Sequence, residues 1–322
     1  MTEPVVVVPD DFPSIFKGTP AEERCAQLGA TRVYSERGAN DEAELIRRLG
    51  GARAAINIRA HARFTERVFS ACSALKMVSI WGTGTDNIDL ESAVRHGVTV
   101  SNTPGVNANA VAEHTIALML AVARRIPKID REMRTGAWPR EMLTQLLGKT
   151  LGVFGTGAIG KRVAALGRAL GMEVVAWSAR DGGRVEEGIR AATKDEILRM
   201  ADVVTLHLRL SQETRGFLAE RELSLMKRPS ILINTGRGAL VERSALLDSL
   251  SQSWLSAGLD VFHDEPLKAD DPILTLPNVV LSPHNAGQTP EVVRDGLLRA
   301  VENIQNFLQG RPTDVVVAPA AR

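Results

Sequence analysis

The chain has 322 residues, of which 44% are hydrophobic and 24% are charged, a composition typical of a globular protein with about two domains. Its 39 basic and 38 acidic residues give a formal net charge of +1, which provides no electrostatic basis for binding nucleic acid or an anionic membrane. The two cysteines, Cys25 and Cys72, show no CxxC spacing, so the sequence predicts neither a disulfide framework nor a metal site.

The N-terminal stretch MTEPVVVVPDDFPS has no basic region and only a four-valine run, so we do not expect a signal peptide. The most apolar stretch, 110–125, contains Glu113 and His114 and ends in two arginines. It is too short to span a bilayer. We therefore expect a cytoplasmic protein without a membrane partner.

Short β-branched runs alternate with amphipathic segments in the first third of the chain. These runs predict strands at 4–10, 30–35, 52–59, 75–82 and 97–102. An alternation of strands with helices is typical of a parallel sheet that is covered by helices.

The same rhythm starts again after a Thr-Pro-Gly break at 103–105 and a long helix predicted at about 106–125. Further strands are predicted at 150–155, 172–178, 201–208, 230–236, 256–262 and 278–283. Near-continuous apolar strands at this spacing indicate a second doubly wound sheet. The last helix, after 288, is expected to return to the first domain, which gives domains of 1–103 with 289–322 and of 104–288.

A glycine-rich motif lies between a predicted strand and a predicted helix. Gly155, Gly157 and Gly160 form G-x-G-x-x-G directly after the apolar run 150–155. The first glycine suits a tight turn, the second lets the backbone approach a pyrophosphate, and the third lets helix and strand pack closely. The motif therefore predicts a dinucleotide site.

The acidic residue that usually binds the ribose of NAD is missing at the end of the following strand. Ser178 occupies that position and Arg180 follows it. A hydroxyl and a guanidinium can hold a 2′-phosphate, which favours NADP or the use of both cofactors. The alternative, in which Arg180 is solvated and Ser178 binds the ribose, is equally compatible with the sequence.

One arginine, one acid and one histidine follow predicted strands of the second half. Arg237, Glu265 and His284 therefore fall on the same edge of the sheet as the glycine loop. A guanidinium can hold a carboxylate and polarise a carbonyl. A histidine can supply the proton that a developing alkoxide needs. This set is suited to hydride transfer between a dinucleotide and a 2-keto acid.

The chain resembles the D-isomer-specific 2-hydroxyacid dehydrogenases over nearly its whole length. The motifs that carry the resemblance are GTGTDNIDL (82–90), TPGVNANAVAEHT (103–115), GKTLGVFGTGAIG (148–160), LHLRLSQETRG (206–216), INTGRGALV (233–241), GLDVFHDEP (258–266) and SPHNAG (282–287). The resemblance implies an α/β fold with two doubly wound parallel-sheet domains, a Rossmann dinucleotide-binding domain inserted in a flavodoxin-like substrate-binding domain.

The resemblance also implies the residues of the site. Arg237, Glu265 and His284 are the expected catalytic residues, and backbone amides of Thr83 and Gly84 are expected to hold the substrate carboxylate. The resemblance places Asp260 near the nicotinamide. The residues expected to bind NAD or NADP are Gly155, Thr156, Gly157, Ala158, Ile159, Gly160, Ser178, Arg180, His207, Thr235, Asp260 and His284. We expect a small 2-keto or 2-hydroxy acid as substrate, and a homodimer.

Several alternatives remain open at the level of sequence. Arg59 and His61 either face the substrate or are exposed loop residues, and Trp81 either lines the substrate pocket or packs the domain. A 3-phosphoglycerate dehydrogenase would use the same chemistry, although Ile80 and Trp81 stand where such relatives carry an arginine. A dinucleotide-sensing protein that resembles the corepressors on this scaffold is the alternative of another class.

Overall fold

The computed structural model describes residues 6–178 and 189–320. The chain divides into two compact units, which we call unit 1 (Met1–Asn107 with Gln288–Arg322) and unit 2 (Ala108–Gly287). Arg180, one of the residues expected to bind the cofactor, lies outside the described residues.

The elements are numbered in chain order. The first segment of unit 1 contains β1 (Val6–Val8), α1 (Pro20–Ala26), β2 (Thr31–Val33), α2 (Glu42–Leu49), β3 (Ala54–Asn57), α3 (Glu66–Ala71), β4 (Met77–Ile80), α4 (Leu90–Arg95) and β5 (Thr99–Ser101). Unit 2 contains α5 (Ala108–Ala123), α6 (Ile126–Arg134), β6 (Thr150–Phe154), α7 (Ala158–Ala169), β7 (Glu173–Trp177), β8 (Arg190–Ala191), α8 (Lys194–Met200), β9 (Val203–Leu206), α9 (Glu220–Ser224), β10 (Ser230–Asn234), α10 (Arg243–Ser251), β11 (Leu255–Leu259) and β12 (Val279–Leu281). The chain then returns to unit 1 with α11 (Pro290–Leu308) and β13 (Val315–Val317).

Unit 1 is built on a sheet whose described strands lie in the order β13-β5-β4-β3-β1-β2. Strands β1 to β5 are parallel and follow the flavodoxin-like order. Strands β1, β3 and β4 are fully buried, because helices cover both faces of a parallel sheet. The carboxyl ends of β1, β3 and β4 carry the loops that begin at Pro9, Ile58 and Trp81.

Unit 2 is built on a parallel sheet whose described strands lie in the order β12-β11-β10-β9-β6-β7-β8. This is the Rossmann order. The order of the strands along the sheet reverses at β6, which pairs in parallel with both β7 and β9. In open α/β sheets the ligand crevice lies at such a switch point, outside the carboxyl ends of the strands. The glycine loop follows β6 and His207 follows β9, so both lie at this point of the sheet.

The strands predicted from apolar runs are all present, and most of them are a few residues shorter than the predicted run. Two of the strands in the described part of the chain were not predicted. One is β8, and the other is β13, which pairs antiparallel to β5 at the edge of the unit 1 sheet. The helix predicted at 106–125 ends at Ala123, and α6 follows after Arg125, whose φ is 50°.

No helix within the described residues is long and apolar enough to cross a membrane. Nor do residues 6–178 and 189–320 contain a group of three or more His, Cys, Asp or Glu side chains that could hold a metal ion.

Candidate active site

The glycine loop of unit 2 has the local geometry that a dinucleotide site requires. Gly155 has a φ of 97°, and a Cβ at this position would lie 2.5 Å from the carbonyl oxygen of His207. A Cβ on Gly160 would lie 1.9 Å from the carbonyl oxygen of Gly155. Gly157, in contrast, would meet no described atom within 4 Å. Close packing therefore requires two of the glycines, and the third leaves the backbone open to a ligand.

Helix α7 begins directly after this loop. Its N-cap residue is Gly157, which makes no side-chain capping hydrogen bond. The amides of the first turn and the positive end of the helix dipole therefore face outward at the open position, which is a suitable site for a pyrophosphate. Thr156, Ala158 and Ile159 belong to this loop and first turn. The residues of the loop thus fit a dinucleotide cofactor.

Three further residues that are expected to bind the cofactor lie directly after strands of the same sheet. Ser178 follows β7 and is buried. The Nε2 atom of His207 lies 2.9 Å from Thr205 Oγ1, and burial lowers the pKa of this histidine to about 3, so the imidazole is neutral at pH 7. Thr235 follows β10, and its Oγ1 lies 2.9 Å from Thr115 Oγ1.

Arg237 is presented by a short turn at the end of β10. The side chain of Asn234, the last residue of that strand, holds the turn at both ends. Its Oδ1 accepts from the Gly236 amide at 3.0 Å, and its Nδ2 donates to the Arg237 carbonyl at 2.9 Å. Asn234 was not selected from the sequence, although an Asn at a strand end two residues before a glycine is typical of an Asx turn.

Glu265 and His284 form a hydrogen-bonded pair. His284 Nδ1 lies 2.6 Å from Glu265 Oε2, and the Phe262 amide donates to Glu265 Oε1 at 2.9 Å. Burial alone would raise the pKa of Glu265, but the hydrogen bond and charge of His284 and the charge of Arg237 lower it below its ordinary value. The carboxylate is therefore ionised at pH 7.

The two side chains of this pair remain accessible, with exposed fractions of 38% for His284 and 35% for Glu265. Because Nδ1 of His284 faces the carboxylate, Nε2 is the ring nitrogen that can serve a ligand. The pair thus combines an oriented imidazole with an adjacent negative charge.

Asp260 fixes the turn that carries His284. Its side chain is only 1% exposed. Its Oδ1 accepts from Ser282 Oγ at 2.6 Å and from the Asn285 amide at 3.0 Å, and its Oδ2 accepts from the Ala286 amide at 3.0 Å. The position of Asp260 near a nicotinamide stays a prediction, whereas its contacts hold the Ser282 hydroxyl before His284 and the backbone amides after it.

The loop after β4 in unit 1 carries Thr83 and Gly84. The Asn102 side chain donates to the Thr83 carbonyl at 3.0 Å, and the Gly82 amide donates to Thr103 Oγ1 at 2.7 Å. These bonds tie the loop to the end of β5. The expected binding of a carboxylate by the amides of this loop stays a prediction.

Arg59 and His61 follow β3 in unit 1. The Nη2 of Arg59 donates to the carbonyl oxygen of Pro13, and burial lowers the pKa of its guanidinium. The Nε2 of His61 lies 3.0 Å from Asp10 Oδ2. Both side chains therefore contact the loop that follows β1.

Trp81 contacts the last helix of unit 1. Its indole Nε1 donates to the carbonyl oxygen of Val292 at 3.3 Å. A Cβ on Gly296 would lie 2.5 Å from the same nitrogen, so the indole packs closely against α11. Trp81 thus has a packing role within unit 1, and its expected contact with a substrate stays a prediction.

Comparison with known proteins identifies the chemistry for which this arrangement is suited. A sequence model described as the D-isomer specific 2-hydroxyacid dehydrogenase, NAD binding domain, matches residues 116–286. A glyoxylate reductase of Aeropyrum pernix is 42% identical over 256 residues, which cover 76% of each chain.

Two further relatives extend the comparison. A D-3-phosphoglycerate dehydrogenase of Archaeoglobus fulgidus is 38% identical over 80% of this chain, which spans 50% of that relative. The solved structure of an acyclic imino acid reductase in complex with NADPH and D-Arg is 30% identical, with a TM-score of 0.87 over 97% of this chain and 99% of that one. These matches confirm the resemblance found in the sequence. The chain therefore belongs to the D-isomer-specific 2-hydroxyacid dehydrogenase family and is an oxidoreductase that acts on CH–OH groups with NAD or NADP.

Proposed function

We propose that the protein reduces a small 2-keto acid of the glyoxylate or hydroxypyruvate type to the corresponding 2-hydroxy acid, which is the D-isomer where C2 becomes chiral. The observation that carries this proposal is the 2.6 Å contact between His284 and Glu265 beside the charge of Arg237. All three residues follow strands of the sheet that also presents the glycine loop. The 42% identity to a glyoxylate reductase supports the substrate class.

Each of the three residues has a distinct part in the proposed reaction. A dinucleotide held at the glycine loop would supply the hydride for C2 of the keto acid. Arg237 holds the carboxylate of the substrate in a planar fork and polarises the carbonyl. Protonated His284 gives its Nε2 proton to the developing alkoxide, and Glu265 stabilises the imidazolium before the transfer. In the oxidation direction the same imidazole accepts the proton.

The cofactor would be held by the chain's own backbone and strand ends. The amides of Gly157, Ala158 and Ile159 would bind the pyrophosphate. The buried hydroxyl of Ser178 would bind the ribose or, with Arg180, a 2′-phosphate. No acid stands at residues 174–180 to repel a phosphate, and this supports the use of NADP beside NAD.

The substrate contacts expected from unit 1 are part of the same proposal. Thr83 and Gly84 would bind the carboxylate through their amides, while Arg59 and Trp81 would border the substituent on C2. The hydrogen bond from Asn102 to the Thr83 carbonyl and the one from the Gly82 amide to Thr103 Oγ1 support a fixed loop geometry.

We further propose a homodimer in the cytoplasm. Large apolar side chains are exposed along one segment of unit 2: Ile126 (56%), Met133 (47%), Trp138 (73%), Met142 (93%) and Leu147 (64%). An exposed apolar surface of this kind is typical of a protein interface, and a second copy of the chain is the partner we propose. Cys25 and Cys72 are both free thiols, which fits a reducing compartment.

The experiment that tests the proposal follows the oxidation of NADH and of NADPH with glyoxylate, hydroxypyruvate, pyruvate and phosphohydroxypyruvate. We expect turnover with the unphosphorylated acids. A clear preference for phosphohydroxypyruvate would instead identify a 3-phosphoglycerate dehydrogenase. Tight dinucleotide binding without turnover of any acid would favour a dinucleotide-sensing protein. Light scattering of the purified protein tests the dimer.

A further inference from the structure

A second histidine of unit 2 lies within hydrogen-bond distance of the turn that carries His284. His114 lies in α5, and its Nε2 is 2.8 Å from Ser282 Oγ. Its side chain is 27% exposed, so the imidazole is largely enclosed by the protein. The reaction proposed above gives this residue no part.

The direction of the bonds follows from the number of available protons. Ser282 Oγ lies 2.6 Å from Asp260 Oδ1, and an ionised carboxylate can only accept. The single hydroxyl proton of Ser282 therefore points to Asp260, so its oxygen must accept from Nε2–H of His114. His114 Nε2 is itself 3.5 Å from Asp260 Oδ1, a weaker direct contact. The result is a chain of donors from His114 through Ser282 to Asp260.

This chain ends on the backbone around His284. Asp260 accepts from the amides of Asn285 and Ala286, the two residues after His284, and Ser282 lies two residues before it. His284 itself has a φ of 54°, a left-handed conformation that is unfavourable for a residue with a side chain. Contacts on both sides must therefore hold the backbone in this conformation.

We propose that His114 is a positioning residue for His284, acting through Ser282 and Asp260. Its Nε2–H orients the Ser282 hydroxyl toward Asp260, and Asp260 in turn fixes the left-handed turn that directs the His284 imidazole to Glu265. Hydrogen bonds in such a chain polarise one another, so the loss of the first donor weakens the hold of the buried carboxylate on the turn. The inference rests on the proposed role of His284 as the proton donor.

Two variants at position 114 and one matched control test this role. His114→Leu removes the donor, whereas His114→Gln retains an N–H at the place of Nε2. The matched control is His96→Leu in unit 1, because His96 has a similar exposed fraction, 29%, and pairs with Glu66 through Nε2. For each variant we would measure kcat, the KM for the keto acid, the Kd for the reduced dinucleotide and the thermal midpoint.

We expect His114→Leu to lower kcat about tenfold, since small displacements of a reacting group cost one to two orders of magnitude in rate. KM, Kd and the thermal midpoint should stay near the wild-type values, because His114 contacts Ser282 and Asp260 and is not among the residues proposed to bind substrate or dinucleotide. His114→Gln should recover most of the lost kcat, and His96→Leu should match the wild type. An equal loss in the Gln and Leu variants, or wild-type kcat in His114→Leu, would overturn the proposal.

A spectroscopic readout on the enzyme without cofactor tests the donor chain directly. The chain contains six histidines, so ¹⁵N-labelled imidazole signals can be assigned by single substitutions. We expect the His114 signal to report a proton on Nε2, and we expect it to shift in Ser282→Ala. A neutral His114 protonated on Nδ1 alone would contradict the chain.

The two proposals fail in different ways. Wild-type turnover in His114→Leu together with an inactive His284→Ala would remove the positioning role and leave the proposed function intact. Full activity in His284→Ala would overturn the proposed function and, with it, the role of His114.

Discussion

The substitution Glu265→Gln isolates the charge that faces His284. Both carboxylate oxygens accept hydrogen bonds, one from His284 Nδ1 at 2.6 Å and one from the Phe262 amide at 2.9 Å. Glutamine has the same shape but only one accepting oxygen, so one of these two donors must face an NH₂ group. If that donor is His284, the imidazolium loses its partner. If it is the Phe262 amide, the side chain loses its anchor.

The expected loss of rate follows from the bond that is removed. A hydrogen bond to a charged group contributes about 1.5–3 kcal/mol, which corresponds to roughly 10- to 100-fold in rate. We expect kcat for keto acid reduction to fall by this factor, measured as steady-state oxidation of the reduced dinucleotide. The dinucleotide Kd should change little, because Glu265 contacts His284 and the Phe262 amide.

The neighbouring substitution Asp264→Asn serves as the matched control, since it removes a negative charge one residue away without touching the pair. We expect it to retain most of the activity. The reasoning would be refuted if Glu265→Gln reduced keto acid at the wild-type rate, or if both variants lost the same activity.

Three further predictions concern the arginine, the glycine loop and the dependence of stability on pH. Arg237→Lys keeps the charge but not the fork, so kcat/KM should fall at least about tenfold; near-normal kcat/KM would remove Arg237 from the substrate site. Gly157→Ala should fold normally, because its Cβ meets no described atom within 4 Å, but it should raise the dinucleotide Kd about tenfold because the methyl group blocks the approach of the ligand to the backbone. Gly160→Ala should instead lower the thermal midpoint, because its Cβ would lie 1.9 Å from the Gly155 carbonyl oxygen. Equal behaviour of the two variants would contradict this account. The pKa of Glu265 is lowered in the folded state, so the ionised carboxylate stabilises the folded protein above the ordinary carboxyl pKa, and this stabilisation is lost as the pH falls through the lowered pKa. The urea midpoints of wild type and Glu265→Gln should therefore converge at acid pH. A difference in midpoint that widened at acid pH would refute the lowered pKa.

The strands of both sheets were predictable because their residues are apolar almost without interruption, as in Ala54–Asn57 and Val203–Leu206, which are buried throughout. Strand β13 was not predicted, because Val315–Val317 is short and partly exposed at a sheet edge. Helix α6 (Ile126–Arg134) was not predicted either, and none of its residues is buried.

The candidate site divides in a similar way. Arg237, Glu265 and His284 could be selected because each follows a strand and bears a side chain that the chemistry needs. The geometry around them could not, because it depends on contacts between distant positions. His114 and Ser282 are separated by 168 positions in the chain, and the sequence holds no local pattern that pairs them. Asn234 did carry a local signal, because an Asn at a strand end two residues before a glycine is typical of an Asx turn. The structure shows which atoms this turn holds in place.

The central claim is that His284 supplies the proton for reduction of a 2-keto acid to the D-2-hydroxy acid. The most direct measurement compares wild type and His284→Ala in the reduction of pyruvate or hydroxypyruvate, with chiral analysis of the product and a separate titration of dinucleotide affinity. We predict that the wild type forms the D-isomer, and that His284→Ala loses about 10²- to 10⁴-fold in kcat with a far smaller change in dinucleotide Kd. Formation of the L-isomer, or a His284→Ala variant that loses dinucleotide binding but keeps its turnover, would contradict the account.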